Sequence, residues 1–172
     1  MLLSNDQSMA DIHINIGSNQ NRKHNISGAI SALQLVFSEV VLSSLFESPA
    51  EGFEGDDFYN VGVNASTDMS IVDVLGILKD IEKQYGRDRT QPKFSSREID
   101  LDLVFFDDII DTNNNLPRDD ILKYAFVLAP LAQLNPNIFH PLENQSYHQL
   151  WHAFQINNTF ELTQYNVEII TQ

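Results

Sequence analysis

The chain has 172 residues, 42% of them hydrophobic and 20% charged, which suits one globular domain with its own core. Its formal net charge of -14 argues against a general nucleic-acid binder, which needs a basic surface to meet phosphates. With no cysteine there are no disulfides or thiolate metal sites, and no apolar run is long enough for a membrane helix, so a soluble cytoplasmic protein is expected.

In chain order, residues 1–10 read as a poorly ordered lead-in, with Met9 an alternative start, and residues 11–172 as a single domain. "DIHINIGSN" alternates, with Ile12, Ile14 and Ile16 on one side and His13 and Asn15 on the other, the pattern of a half-buried strand ending at Gly17. A helix follows, capped by Asn25 or Ser27, with Ile30, Leu33, Val36 and Phe37 as its apolar stripe. "VVLSSLFES" reads as a second strand and "PAEGFEGDD" as a loop. "FYNVGVNAST" is a third strand, with Tyr59, Val61, Val63 and Ala65 on one face. Its other face carries Phe58, Asn60, Gly62 and Asn64, either a polar floor or a side turned to solvent.

A second helix, capped by Thr67 or Ser70 and ended by Gly86, repeats Ile71, Leu75, Leu78, Ile81 and Tyr85 at helical spacing. The loop "RDRTQPKFSS" leads into a fourth strand, "IDLDLVFF", and "DDIIDTNNNLPRDD" is a polar connection. "ILKYAFVLAPLAQLNP" is helical with Pro130 forcing a kink or a new turn, and "HQLWHAFQINNTFEL" is a short helix with an extended end. Strand, helix, strand, strand, helix, strand, then helices predicts an α+β fold. It is a ferredoxin-like β-α-β-β-α-β core: an antiparallel sheet, helices on one face, the other face free for a site, and extra C-terminal helices.

The chemistry concentrates in the fourth strand. Asp100 and Asp102 are two apart, so both carboxylates share a face, with Glu98 beside them, while Ile99, Leu101, Leu103 and Phe105 point into the core. Carboxylates ~7 Å apart along a strand suit Mg²⁺, which takes one or two protein carboxylates and completes its shell with phosphate oxygens. A lone D-x-D can equally be a pair of exposed strand carboxylates. Six of the ten basic residues, Lys79, Lys83, Arg87, Arg89, Lys93 and Arg97, crowd just upstream, where arginine forks can clamp phosphate oxygens. Carboxylates, metal and arginines are the parts of a phosphoryl-transfer site, and no P-loop is present to hold a nucleotide. The five histidines lack the spacing of a metal site and read as structural or surface residues.

These stretches together resemble the 6-hydroxymethyl-7,8-dihydropterin pyrophosphokinase family of folate biosynthesis. The landmarks run in order: "INIGSN" (Ile14–Asn19), "FESPAEGFEGDDFYN" (Phe46–Asn60), "IEKQYGRDR" (Ile81–Arg89), "REIDLDLVFF" (Arg97–Phe106) and "YAFVLAPLAQLNP" (Tyr124–Pro136). The resemblance implies transfer of pyrophosphate from ATP, the co-substrate, to the pterin hydroxymethyl group with release of AMP. It implies two Mg²⁺ ions on Asp100 and Asp102, and a catalytic set of Arg87, Arg97 and Asp102. Lys79, Glu82, Arg87, Arg89, Arg97 and Arg118 would meet ATP. Ser48, Pro49 and Asn60 would frame the reduced pterin, with Phe94 and Phe126 stacking on its ring. It also implies a monomer with no nucleic-acid or membrane partner. Arg118 stands where the family usually has a histidine facing ATP, and Asp119 beside it is expected to repel phosphate. The other readings are a diverged paralogue that binds pterin or nucleotide without efficient transfer, and a non-catalytic ferredoxin-like binding module.

Overall fold

The computed structural model of the protein describes residues 8–85 and 99–172. The chain runs β1 (Ala10–Ser18), α1 (Arg22–Val36), β2 (Ser38–Ser48), β3 (Phe58–Thr67), α2 (Ile71–Gln84), β4 (Asp100–Phe106), α3 (Ala125–Leu134), α4 (Tyr147–Asn157), β5 (Thr163–Tyr165) and α5 (Glu168–Thr171). The sheet order is β4-β1-β3-β2-β5, and every pairing is antiparallel. The first four strands and two helices are the β-α-β-β-α-β unit expected from the sequence. β5 is an addition at the β2 edge, where the sequence offered only an extended end. Ala10, assigned to the lead-in, is the first residue of β1.

The apolar alternation of the strands builds one face of the sheet. Ile12, Ile14 and Ile16 of β1, Val61 and Val63 of β3, and Leu101 and Leu103 of β4 pack against Ile26, Ile30 and Leu33 of α1 and Val74, Leu78 and Ile81 of α2. Each such side chain contributes about 1.5–3 kcal/mol of burial. The opposite face is not free, as expected, but partly covered. Val104 and Phe105 of β4 form a second core with Val127, Leu128 and Leu131 of α3 and Tyr147 and Leu150 of α4. The cause on β4 is a bulge: Ile14 pairs with Leu103 but His13 with Phe105, so one extra residue turns Phe105 to the face opposite Leu103. α3 has sequence that is apolar nearly all round, which fits a helix buried on several sides.

Helix ends correct one further detail. α1 begins at Arg22 rather than after Asn25 or Ser27. Asn21 caps it in the left-handed region (φ 43), and the buried Asn25 side chain donates from inside the helix to the Gln20 carbonyl at 2.8 Å. α2 starts as expected from Ser70, whose hydroxyl accepts the Asp73 amide hydrogen. It ends at Gln84 with Tyr85 as its cap, and the expected stop at Gly86 lies outside the described residues. No helix among the described residues is long and apolar enough to cross a membrane.

Candidate active site

β4 carries Asp100 and Asp102 on the face opposite Leu101 and Leu103, as its period-two pattern requires. Between them, the Leu101 amide donates to Glu82 Oε1 at 2.9 Å. Glu82 is 1% exposed, so α2 grips β4 from behind at the point where the two aspartates project forward. Burial, and then the neighbouring Asp100 charge, push the Asp102 carboxyl up to about 7, against the opposing pull of Arg118. Two half-buried carboxylates side by side on one face, with Asp102 resisting ionisation, make a donor pair suited to a cation. Among the described residues no group of three or more His, Cys, Asp or Glu side chains is arranged to hold a metal. The two carboxylates are the residues that could hold Mg²⁺, an ion that needs few protein carboxylates when phosphate oxygens and water fill its shell.

Among the described residues, Arg118 brings positive charge to the pair. Its Nη1 lies 3.3 Å from Asp102 Oδ1. Its Nε and Nη2 both donate to Asp120 Oδ2, at 3.1 and 2.6 Å. Asp102, together with Asp120, holds the guanidinium above its ordinary pKa in spite of burial. Asp119, expected to repel phosphate, is turned outward instead. Its carboxylate accepts from Lys123 and Asn115, and those hydrogen bonds, Lys123 first, hold its pKa down to about 2. A charge already neutralised by Lys123 and exposed to water is screened from a ligand near Asp102.

The sheet register joins this corner to an amide-lined floor. Gly17 of β1 pairs with Asp100 on one side and with Asn60 on the other, and Asn60 pairs with Phe46. Directly paired residues share a face, so Asp100 and Asn60 face the same side two strand spacings apart, about 10 Å. Asn60 is buried, and its Nδ2 donates to Ser48 Oγ at 3.4 Å, a long bond. A Cβ on Gly17 would stand 3.0 Å from Asn60 Oδ1, so only glycine lets that amide lie across β1 undisturbed. One row inward, Asn15 pairs with Asp102 and Gly62. α3 closes over this row: a Cβ on Gly62 would come within 2.8 Å of Pro130 Cβ and of His13 Cε1. Phe126 stands one turn before Pro130, about 6 Å along α3. Phe126 is half-buried and stacks on Tyr124 with ring centroids 5.1 Å apart.

Pro49 is exposed just past β2, and Lys79 is exposed on α2. Glu82, expected at ATP, is buried behind β4. Arg87, Arg89, Phe94 and Arg97, with Glu98, lie outside the described residues. Sequence reasoning missed Asp120 and Asn15. The signal for Asp120 was its i+2 spacing from Arg118, and for Asn15 its place in the polar alternation of "HINIG".

Residues 13–136 match the sequence model of a family described as 7,8-dihydro-6-hydroxymethylpterin-pyrophosphokinase (HPPK). The chain belongs to the HPPK family. A 2-amino-4-hydroxy-6-hydroxymethyldihydropteridine pyrophosphokinase of Aquifex aeolicus is 31% identical over 157 residues, covering 89% of this chain and 95% of that protein. A protein of the same name from Synechocystis is 33% identical over 130 residues, 73% of this chain and 66% of its own. A folic acid synthesis protein of Dictyostelium discoideum is 31% identical over 134 residues, but this chain spans only 20% of it. The fold is likewise that of the wild-type HPPK-DHPS of Plasmodium falciparum solved with pteroate, with a TM-score of 0.68 at 15% identity. That likeness covers 88% of this chain and 43% of the other. Within this HPPK chain, the end of β1, the β2–β3 link and the start of β4, each from a family stretch, meet at one end of the sheet. "INIGSN" ends β1, "FESPAEGFEGDDFYN" links β2 to β3, "IDLDLVFF" fills β4 and "YAFVLAPLAQLNP" forms α3.

Proposed function

We propose that the chain transfers the pyrophosphoryl group of ATP to the hydroxymethyl group of 6-hydroxymethyl-7,8-dihydropterin and releases AMP, a step of folate biosynthesis. The observation that carries this reading is the register Asp100–Gly17–Asn60, which puts a carboxylate pair and an amide floor on one face about 10 Å apart. A phosphate-handling corner and a flat-ring pocket then share a cleft. The family membership fixes which reaction such a cleft serves.

In the reaction the hydroxymethyl oxygen forms a bond to the β-phosphorus, and the bond from that phosphorus to the oxygen bridging toward the α-phosphorus breaks. AMP leaves with the bridging oxygen, and the hydroxyl proton leaves to solvent. Asp100 and Asp102 would hold Mg²⁺, two ions in our reading, which would neutralise phosphate charge. Asn60 reads the polar edge of the pterin, with Ser48 and Pro49 bounding it and Phe126 offering an aromatic face; Phe94 supplies the second. Arg118 meets phosphate from the Asp102 side. Arg87, Arg89 and Arg97 meet it from the segment between α2 and β4, and Lys79 from α2. Glu82 acts on the site through β4, by fixing the backbone between the two aspartates. The enzyme works in this reading as a cytoplasmic monomer on small molecules alone.

The test is to incubate the purified protein with ATP, Mg²⁺ and the pterin, and to separate the nucleotides. AMP that forms only when pterin and Mg²⁺ are both present is the expected result. ADP in its place would point to an ordinary kinase, and no nucleotide product from folded protein would overturn the reading.

A further inference from the structure

We propose that Arg118 is a built-in counter-ion that competes with the divalent cation for Asp102, and that Asp120 is the positioning residue that holds it there. The inference rests on the reading above in one respect, that Asp100 and Asp102 are the cation's ligands.

The guanidinium is a planar fork with fixed donor directions. Two of its nitrogens, Nε at 3.1 Å and Nη2 at 2.6 Å, are spent on the same oxygen of Asp120, which fixes the plane. The third, Nη1, has the single longer contact of 3.3 Å to Asp102. The anchor and the exchangeable partner are thus distinct. Asp120 is 8% exposed, and it sits in a short 3-10 turn, Asp119–Leu122, whose carbonyls are tied to the entrance of α3. There Asp120 O accepts the amide hydrogens of Lys123 and Tyr124 at 3.1 and 3.0 Å. Arg118 itself is tied to β4, its amide donating to the Val104 carbonyl at 2.9 Å. Backbone and fork are both held, so Nη1 stays in place, and a phosphate oxygen that arrives at it can take over from Asp102 as acceptor while the side chain remains on Asp120.

A fixed positive charge 3.3 Å from one metal ligand lowers the affinity of the pair for a free divalent cation. Triphosphate draws that charge to itself and returns Asp102 to the cation. Cation and nucleotide then bind with positive coupling, and linkage makes the coupling reciprocal. The carboxylate corner stays closed to stray cations until the substrate that needs them arrives.

The probe is Mn²⁺ alone, titrated without nucleotide and followed by electron paramagnetic resonance, with Tm recorded for every variant. Arg118→Gln is expected to bind Mn²⁺ roughly tenfold more tightly than the native chain. Asp120→Asn frees the guanidinium to settle on Asp102 and is expected to weaken Mn²⁺ binding, an effect that shrinks in the Arg118→Gln background. Unchanged or weaker binding by a folded Arg118→Gln variant overturns the competition. A second readout needs only native protein: the Arg118 Nε–H resonance, assigned by its absence from Arg118→Lys, is expected to exchange slowly with water before and after addition of Mg²⁺ with a non-hydrolysable ATP analogue. Its loss on binding overturns the anchor. If neither native chain nor Arg118→Gln binds Mn²⁺ at all, the assignment of Asp100 and Asp102 as cation ligands has failed, and this proposal with it. If Mn²⁺ binds as expected but no AMP forms in the assay above, only the assigned reaction has failed.

Discussion

Glu82 Oε1 accepts the Leu101 amide hydrogen at 2.9 Å, a buried carboxylate holding the backbone of the one residue that separates Asp100 from Asp102. The bond joins α2 to β4 between two residues 19 positions apart. Leaving that amide without an acceptor costs about 1–3 kcal/mol. Glu82→Ala is therefore expected to lower Tm by several degrees, at roughly 2–4 °C per kcal/mol for a domain of this size. Glu82→Gln keeps a carbonyl acceptor and is expected to lose less. Thermal unfolding and nucleotide titration on the same samples separate two roles. If Glu82→Gln kept its Tm but lost nucleotide affinity tenfold, Glu82 would be an ATP contact after all.

Two groups of opposite sign shape the pH dependence of the metal-free protein. His13 is fully buried, and burial pulls its pKa down to about 4. Its Nδ1 lies 2.7 Å from Asn64 Oδ1, which fits the neutral tautomer donating from Nδ1, while Nε2 has no partner that would receive a proton's hydrogen bond. A folded pKa below the unfolded 6.5 means stability that is fully present above pH 6.5 and lost as pH falls toward 4, about 3 kcal/mol in all. Asp102 works the other way. Its folded value near 7 exceeds the ordinary 3.8, so its contribution is present at low pH and declines as pH rises from 3.8 toward 7. Urea unfolding from pH 4 to 7.5 is expected to rise more steeply with pH in Asp102→Asn than in the native chain, and to flatten in His13→Phe. A native-like slope in both variants would remove these two groups as the cause.

The expectations that held are those written in local pattern. Alternation in "DIHINIG" and "FYNVGVN" predicted β1 and β3, and the aspartate pair kept its face because strand period alone decides it. What escaped depended on tertiary contact. The bulge that turns Phe105 to the second face is visible only when β4 is laid against β1. α3 covers the second face because Gly62 admits Pro130, a fit between residues 68 positions apart that no periodicity carries. The Arg118–Asp120 fork was hidden for the opposite reason: "RDD" looks like solvated charge until burial is known.

Gly62→Ala tests that fit. Its Cβ would sit 2.8 Å from both Pro130 Cβ and His13 Cε1, and 3.0 Å from His13 Nε2. Neither a proline ring within α3 nor a fully buried imidazole yields easily, so α3 must shift. Overpacking of this kind costs about 1–3 kcal/mol. Lower Tm together with weaker pterin binding is expected, because α3 carries Phe126. A stable variant with native pterin affinity would mean that α3 gives way without disturbing the Asn60 row.

Asn15 offers a prediction in which stability and binding part company. It is 5% exposed, its Oδ1 accepts no hydrogen bond, and it projects from β1 between Asp102 and Gly62. A buried acceptor without a donor is a cost to the fold of about 1–3 kcal/mol, and native proteins keep such atoms mainly where a ligand or water completes them. Asn15→Ala is expected to leave Tm unchanged or raise it, since no internal bond is lost. The same change is expected to weaken pterin binding several-fold, because Asn15 pairs with Asp102 on the face it shares with Asn60 and its unpartnered Oδ1 can take a hydrogen from the bound substrate. Calorimetric titration of the pterin, with Tm recorded on the same preparation, decides it. A fall in Tm with unaltered pterin affinity would make Asn15 a packing residue whose amide only fills the space under α3.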